Sequence, residues 1–117
     1  MNPELNLPAW AAMPECAVTV CDADCRIIYM NPRSRDTFAD GTDRLIGQNL
    51  LECHSPRSRE IIARLLATGG SNVYTIEKQG VRKMIYQSAW LNTDGSVGGL
   101  VELSMVIPAE IPHYVRK

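Results

Sequence analysis

In the last third of the chain, polar and apolar residues alternate with a period of two, which is typical of β-strands. Turn residues interrupt the alternation at Gln79-Gly80 and at Asn92 to Gly95. The pattern therefore predicts three antiparallel strands, over Asn72 to Lys78, Val81 to Leu91 and Val97 to Ile107. One face of the last strand is apolar throughout, formed by Val101, Leu103, Met105 and Ile107. Polar residues such as Glu102 alternate with them, as expected of a sheet covered on one side.

Earlier in the chain, two apolar segments flank a polar turn. Cys16 to Cys21 and Arg26 to Asn31 are rich in residues that favour strands, and Asp22 to Cys25 joins them, so a β-hairpin is predicted. Asn31-Pro32 ends the second strand, because the residue before a proline avoids helical geometry. Helical character follows from Pro32 to Phe38.

The strongest helix signal begins at Ser55-Pro56. Ser55 can cap the first turn and Pro56 suits the first helical position, while Gly69-Gly70 ends the helix. A single apolar stripe runs along this helix, formed by Ile61, Ile62, Leu65 and Leu66. A shorter helix is predicted within residues 1–13, and it needs a surface to pack on, since so short a helix is marginal alone.

This order of elements predicts an α+β fold, in which short helices pack on one face of a five-stranded antiparallel sheet. At 117 residues the chain has the length of one domain with one core. We divide it into an N-terminal helical segment over residues 1–13, a domain over residues 14–108, and a C-terminal tail or linker over residues 109–117.

The charges of the chain almost cancel. Its 12 basic and 13 acidic residues give a net charge of -1, so no positive excess is present to neutralise phosphates, and nucleic acid is not expected as a partner. No apolar run reaches the roughly 20 residues that span a bilayer, and the first residues lack the positive charge of a secretory signal. We therefore expect a cytoplasmic protein without membrane insertion. Its cysteines, at positions 16, 21, 25 and 53, form no C-x-x-C pair and are expected to be reduced thiols.

Three segments, in this order, resemble the PAS domain family over about Pro14 to Pro108. The stretch from Ala17 to Pro32 is similar to the family's opening hairpin, in which an acidic turn joins two strands and the second strand ends in Asn-Pro. Leu45 to Asn49 is similar to the segment in which a glycine turns the chain towards the long helix. The Asp94-Gly95 turn and the strand after it resemble the family's final hairpin.

The resemblance implies a cavity between the inner face of the sheet and the helices, which members of the family use to hold haem, flavin, a small acid or nothing. It also implies a sensory domain that binds a small ligand and relays the change through its termini or a dimer interface to an output domain or partner protein. We expect a homodimer, with the N-terminal helix as the contact. The alternative is a ligand-free interaction domain that pairs two proteins.

His54 is the first candidate for the cavity. It precedes the long helix, where haem-binding members of the family have an axial histidine, and imidazole is a suitable ligand for haem iron. A haem-based gas or redox sensor that uses His54 is therefore a further alternative, although a histidine that only hydrogen-bonds near the helix start also fits. Light-sensing members have a reactive cysteine in a Gly-x-Asn-Cys-Arg segment. Leu50 occupies that position here, so a covalent flavin adduct is not expected.

The remaining candidates lie on the last strands. If the face that carries Met84, Tyr86 and Trp90 looks inward, these side chains and Tyr74 could line a pocket and bind a cofactor or ligand through phenol and indole groups. Ordinary packing or an aromatic dimer surface is the other interpretation. The sequence has no nucleophile paired with a base, metal triad or phosphate-binding glycine loop, so we expect binding rather than catalysis.

Overall fold

The computed structural model describes residues 9–117, apart from the side chain of Cys53. Within this range the strands and helices follow the predicted order. The strands are β1 (Cys16–Asp22), β2 (Ile27–Met30), β3 (Ser71–Lys78), β4 (Val81–Leu91) and β5 (Val97–Ile107). The α-helices are α1 (Pro32–Phe38) and α2 (Pro56–Thr68), and short 3-10 helices cover Ala9–Ala11 and Leu50–Cys53.

The five strands form one antiparallel sheet in the order β2-β1-β5-β4-β3. The first and last strands pair along their length, from Cys16 opposite Met105 to Asp22 opposite Gly99, so the opening hairpin and the closing three strands share one sheet. α1 packs on β1 and β2, and α2 packs on β5, β4 and β3. The predicted α+β fold, a five-stranded antiparallel sheet with short helices, is confirmed.

Both α-helices begin and end where the sequence predicted. The Ser55 hydroxyl accepts a hydrogen bond from the backbone N–H of Ser58 at 3.3 Å, so it caps the N-terminus of α2. Gly69 follows with a φ of 72°, a left-handed conformation that glycine adopts without strain, and its N–H donates to the Leu65 carbonyl at 2.8 Å. On the apolar stripe of α2, Ile62 and Leu65 are fully buried.

The core lies between the sheet and the two helices. Its buried members come from β1, β2, β5, α2 and the segments between them, and they are Cys21, Cys25, Ile27, Met30, Ala39, Leu50, Ile62, Leu65 and Leu100. Cys16, Cys21 and Cys25 are free thiols. Burial raises the pKa of Cys21 to about 12, so this thiol stays neutral and packs as a small apolar side chain.

Asn31 connects three separate parts of the fold. Its side chain is fully buried, and its Oδ1 accepts from the backbone N–H groups of Val18 and Ser34, both at 2.9 Å. Its Nδ2 donates to the carbonyl oxygens of Ala11 at 3.0 Å and Cys16 at 2.8 Å. One amide thus caps α1 and holds β1 and the segment before it in place, with four hydrogen bonds that satisfy all of its polar atoms.

The apolar face of β5 does not meet the helices. Leu100 belongs to the core, and residues of β5 alternate from it, so Val101, Leu103 and Met105 lie on the opposite face of the sheet. Register extends this face to the neighbouring strands, because Val20 lies opposite Val101. We call it the outer face; its members are Val18, Val20, Val73, Met84, Tyr86, Trp90, Val101, Leu103 and Met105. The inner face, towards the helices, combines apolar core residues such as Cys21 and Leu100 with polar residues such as Gln87 and Glu102.

The predicted helix within residues 1–13 falls mostly outside the described residues. The described part contains the 3-10 helix Ala9–Ala11, in which Ala11 is buried and Trp10 is 74% exposed. A helix long and apolar enough to cross a membrane does not occur within residues 9–117.

We predict that Asn31→Ala lowers the free energy of unfolding by about 3 kcal/mol or more, because it leaves buried backbone groups of three segments without partners. Asn49→Ala is the matched control, since Asn49 is exposed and caps the 3-10 helix Leu50–Cys53 through one hydrogen bond to the Leu51 N–H. The Asn49→Ala substitution should lower the free energy of unfolding by about 1 kcal/mol. Urea unfolding of both variants measures the difference, and equal losses would contradict the role of Asn31.

Candidate functional site

A cavity of about 220 Å³ lies between the inner face of the sheet and the segments that precede α2. Most of its wall is apolar, formed by Ile27, Met30, Phe38, Leu45 and Leu50. Phe38 is 44% exposed, so this part of the wall also faces solvent. A pocket with mostly apolar walls and a few polar groups is the usual form of a small-molecule site.

The polar part of the wall consists of Thr19, His54 and Glu102. Thr19 on β1 lies directly opposite Glu102 on β5, which brings their side chains to the same face of the sheet. The Thr19 hydroxyl is 2.5 Å from the hydroxyl of Ser34 on α1, so it already has a protein partner. His54 and Glu102 are the two ionisable groups of the cavity wall.

His54 is half-buried where the 3-10 helix Leu50–Cys53 leads into α2. Its Nδ1 is 2.8 Å from the carbonyl oxygen of Leu50, and because a carbonyl only accepts, Nδ1 carries the proton. In the neutral ring Nε2 is then left as an acceptor or a metal ligand. The backbone carbonyl of His54 accepts from Nε of Arg59 at 3.1 Å, which ties this residue to the first turns of α2.

A row of polar side chains crosses the inner face from β3 to β5. Nδ2 of Asn72 donates to Oε1 of Gln87 at 3.1 Å, and Nε2 of Gln87 donates to Oε2 of Glu102 at 2.9 Å. We call these three residues the polar row. Tyr74 lies beside it, in a shallow groove that also contains Asn72 and Gln87. Partial burial raises the pKa of the Tyr74 phenol, and the negative charge of Glu102 adds to this effect.

The structure brings some of the predicted site residues to the cavity and leaves others away from it. His54 lines the cavity, and Tyr74 lies on the inner face beside it. Met84, Tyr86 and Trp90 belong to the outer face, so the condition that their face looks inward is not met. Sequence reasoning missed Glu102, because a charged residue that alternates with apolar ones on a strand is usually a solvent-facing one.

Trp90 instead covers a pair of glycines on β5. Its indole Nε1 donates to the carbonyl oxygen of Cys21 on β1 at 3.0 Å, so the ring reaches from β4 across β5. A Cβ atom at Gly98 would overlap the ring, and one at Gly99 would overlap the Cys21 carbonyl. The two glycines therefore let the indole lie directly on the backbone of β5.

The described residues contain no group of three or more His, Cys, Asp or Glu side chains that could hold a metal ion. His54 is therefore a single candidate donor rather than a member of a ligand set of protein side chains. Any metal bound there needs most of its ligands from another source, as in a metal that arrives within a macrocycle.

A family model for the PAS fold matches residues 10–109, which is most of the chain. The chain belongs to the PAS fold family. The match includes both halves of the sheet, both α-helices and every residue of the cavity wall, so the site described above lies within the PAS domain. A search of curated proteins finds no match to the sequence.

Solved structures support the same fold at low sequence identity. A sensory box sensor histidine kinase from Vibrio cholerae matches with a TM-score of 0.60 and 17% identity, over 81% of this chain and 84% of that chain. The Aer2 receptor from Vibrio cholerae, described as a dual PAS-heme oxygen sensor, matches with a TM-score of 0.58 and 19% identity, over 86% of this chain and all of that chain. At such identities the likeness shows the PAS fold alone.

A third structure corrects one prediction. The net charge led us to exclude nucleic acid as a partner, and this exclusion is wrong. The Vibrio cholerae receptor VqmA, in a complex with ligand and DNA, matches this chain with a TM-score of 0.67 and 14% identity, over 84% of this chain. This chain spans only 49% of that VqmA chain, so the charge of one PAS domain does not determine whether a longer protein binds DNA.

We predict that Gly98→Ala lowers the free energy of unfolding by about 2 kcal/mol, because the new methyl group overlaps the Trp90 ring. In a Trp90→Ala background the same substitution should cost much less. Gly70→Ala is the control, since its Cβ would meet Thr68 and Leu65 and its cost should not depend on Trp90. A double-mutant cycle from urea unfolding measures this coupling, and its absence would show that Trp90 does not rest on Gly98.

Proposed function

We propose that this PAS domain is a sensory module that binds a small ligand in the cavity of about 220 Å³ and does not act by turnover. The observation that carries the proposal is the composition of the cavity wall, which is apolar except for Thr19, His54 and Glu102. Such a wall provides burial for a ligand's body and directional contacts for its polar end. Membership of the PAS family supports the sensory role.

Two connections lead from the cavity to the rest of the domain. His54 touches the cavity with its imidazole and accepts a hydrogen bond from Arg59 of α2 with its carbonyl, so a ligand that moves His54 also acts on the start of α2. Glu102 lies on β5, which leads into the tail after Ile107. A ligand can use either route only if it binds one arrangement better than another.

The tail is the proposed point of exit for the signal. Nη1 of Arg82 on β4 donates to the carbonyl oxygen of Ala109 at 3.1 Å, so the beginning of the tail is tied to the sheet. Beyond it, Ile111, Tyr114 and Val115 are each more than half exposed. A change in β5 therefore reaches residues that are available to an output domain or partner protein.

Haem is the alternative ligand that the Aer2 likeness raises. Nε2 of His54 is a suitable axial donor, but the cavity volume of about 220 Å³ is below the roughly 300 Å³ at which pockets for drug-sized ligands begin, and haem is larger than most of these. In this conformation the cavity does not fit haem. We therefore propose a ligand smaller than haem.

We also propose a second function, the pairing of two copies through the outer face. The observation in its favour is the apolar composition of this face, on which Tyr86 is 38% and Val73 49% exposed. Exposed apolar surface of this kind often marks a site of association. The predicted contact through residues 1–13 stays a prediction, because residues 1–8 lie outside the described range.

For the ligand, we predict that native mass spectrometry of freshly purified protein shows a bound small molecule. Leu45→Trp should abolish the adduct, because the larger side chain fills the cavity that Leu45 lines. Leu91→Trp is the control, since Leu91 is 55% exposed and is not part of the cavity wall. A bare mass for the wild-type protein, together with no response of cavity side chains to a fragment library in NMR spectra, would contradict ligand binding.

For pairing, we predict that Tyr86→Arg halves the mass measured by sedimentation equilibrium, because it places a charge in the apolar outer face. Tyr74→Arg is the matched control: Tyr74 is 43% exposed but belongs to the inner face, so this variant should keep the mass of the wild-type protein. A wild-type monomer, or equal masses for the two variants, would contradict pairing through the outer face.

A further inference from the structure

In the polar row, each side chain donates a hydrogen bond to the next one, from Asn72 to Gln87 to Glu102. The carboxylate of Glu102 offers only acceptors, so Gln87 turns its NH₂ group towards it and its carbonyl oxygen away. That carbonyl oxygen then takes the donor of Asn72. The orientation of each amide is set by the next residue along the row, and the row delivers its hydrogen-bond donors to Oε2 of Glu102.

The other carboxylate oxygen of Glu102 has no such partner. Among the described residues, no hydrogen bond involves Oε1 of Glu102, and neither of the two ion pairs, Arg44 with Asp40 and Arg82 with Glu77, includes Glu102. The cavity wall itself contains no Lys or Arg. Among the described residues no buried side-chain oxygen lacks a partner, so Oε1 of Glu102 is accessible to solvent and is free to accept a hydrogen bond from a ligand.

The two neighbouring polar groups, His54 and Thr19, already have partners within the protein. The Nδ1–H of His54 donates to the carbonyl of Leu50, so Nδ1 has no further donor to offer to a ligand. The hydroxyl of Thr19 is engaged with Ser34. The free carboxylate oxygen of Glu102 can only accept, so it needs a hydrogen-bond donor from a ligand, and its negative charge favours a positive ligand over a negative one.

Resting on the proposed function, we propose that the ligand of this cavity is a small organic cation, with a protonated amine or amidine bound by the Glu102 carboxylate and an apolar body packed against Ile27, Met30 and Leu50. A charge-assisted hydrogen bond to Oε1 satisfies the free acceptor and compensates the charge together. The volume of about 220 Å³ limits the apolar body to about one aromatic ring with a short chain.

The test uses three probes with the same aromatic body: 2-phenylethylamine, 2-phenylethanol and 3-phenylpropionate. Their binding to the whole chain is measured by NMR shifts of the cavity methyl groups. We expect the amine to bind at least about tenfold more tightly than the alcohol, and the carboxylate not to bind, because a hydrogen bond between charged groups is stronger than one to a neutral hydroxyl. Equal binding of all three would overturn the proposal.

Two variants with the same change of charge locate the effect. Glu102→Gln keeps the shape of the side chain and should reduce the affinity for the amine by about tenfold or more. Glu77→Gln removes one negative charge from the exposed end of β3, outside the cavity, and should leave the affinity unchanged. Equal affinities in the two variants would overturn the role of Glu102, and urea unfolding of both reports whether each variant still folds.

The outcomes separate the class of ligand from ligand binding itself. If the alcohol or the carboxylate binds best, or if a molecule retained on purification is neutral or anionic, the cationic class is wrong while the cavity remains a binding site. If a retained molecule is an organic cation, the proposal is supported even where the three probes fail. If no probe binds and nothing is retained, this inference and the proposed ligand-binding function both fail.

Discussion

The position of α1 on the sheet depends on the buried side chain of Asn31. Its four hydrogen bonds join the segment around Ala11, the start of β1 and the first turn of α1. Because each bonded backbone group lies where water cannot replace the amide, these segments keep one relative arrangement. That arrangement brings Ser34 of α1 against Thr19 of β1 and so builds one wall of the cavity. This wall of the cavity is therefore a consequence of the same contact that orders the N-terminal half of the fold.

The first and last residues of the helices and turns were predictable because they depend on the capping and turn residues at those positions. Ser55-Pro56 and Gly69 set the ends of α2, and Gln79-Gly80, both with positive φ, set the turn between β3 and β4. Which face of the sheet meets the helices was not predictable in this way. A period of two defines two faces of a strand, but which face meets the helices depends on register with strands far away in the sequence, as in the pairing of Val20 with Val101.

The same limit applies to the site. His54 could be proposed from sequence because it lies just before the N-cap of α2, where the family resemblance implied a cavity residue, and it does line the cavity. Glu102 could not be proposed from sequence, because its place at the cavity depends on neighbours on other strands. These are Thr19, which lies opposite it on β1, and Gln87, which lies 15 residues away and is hydrogen-bonded to it. The interpretation of Trp90 as a possible pocket residue failed for a related reason, since the glycines on which its ring lies belong to the next strand. Which side chains line the cavity therefore depends on contacts between distant segments, and the spacing of residues along one strand does not show these contacts.

The sheet is thus apolar on the side without helices and partly polar on the side that they cover. Polar groups on a covered face lower stability unless they are hydrogen-bonded, and the polar row meets this condition at Asn72, at Gln87 and at Oε2 of Glu102, while Oε1 of Glu102 is accessible to solvent. The proposed organic cation would use the remaining acceptor of Glu102 and compensate its negative charge. Because Glu102 lies on β5, which pairs with both β1 and β4, compensation of its charge acts at the centre of the sheet.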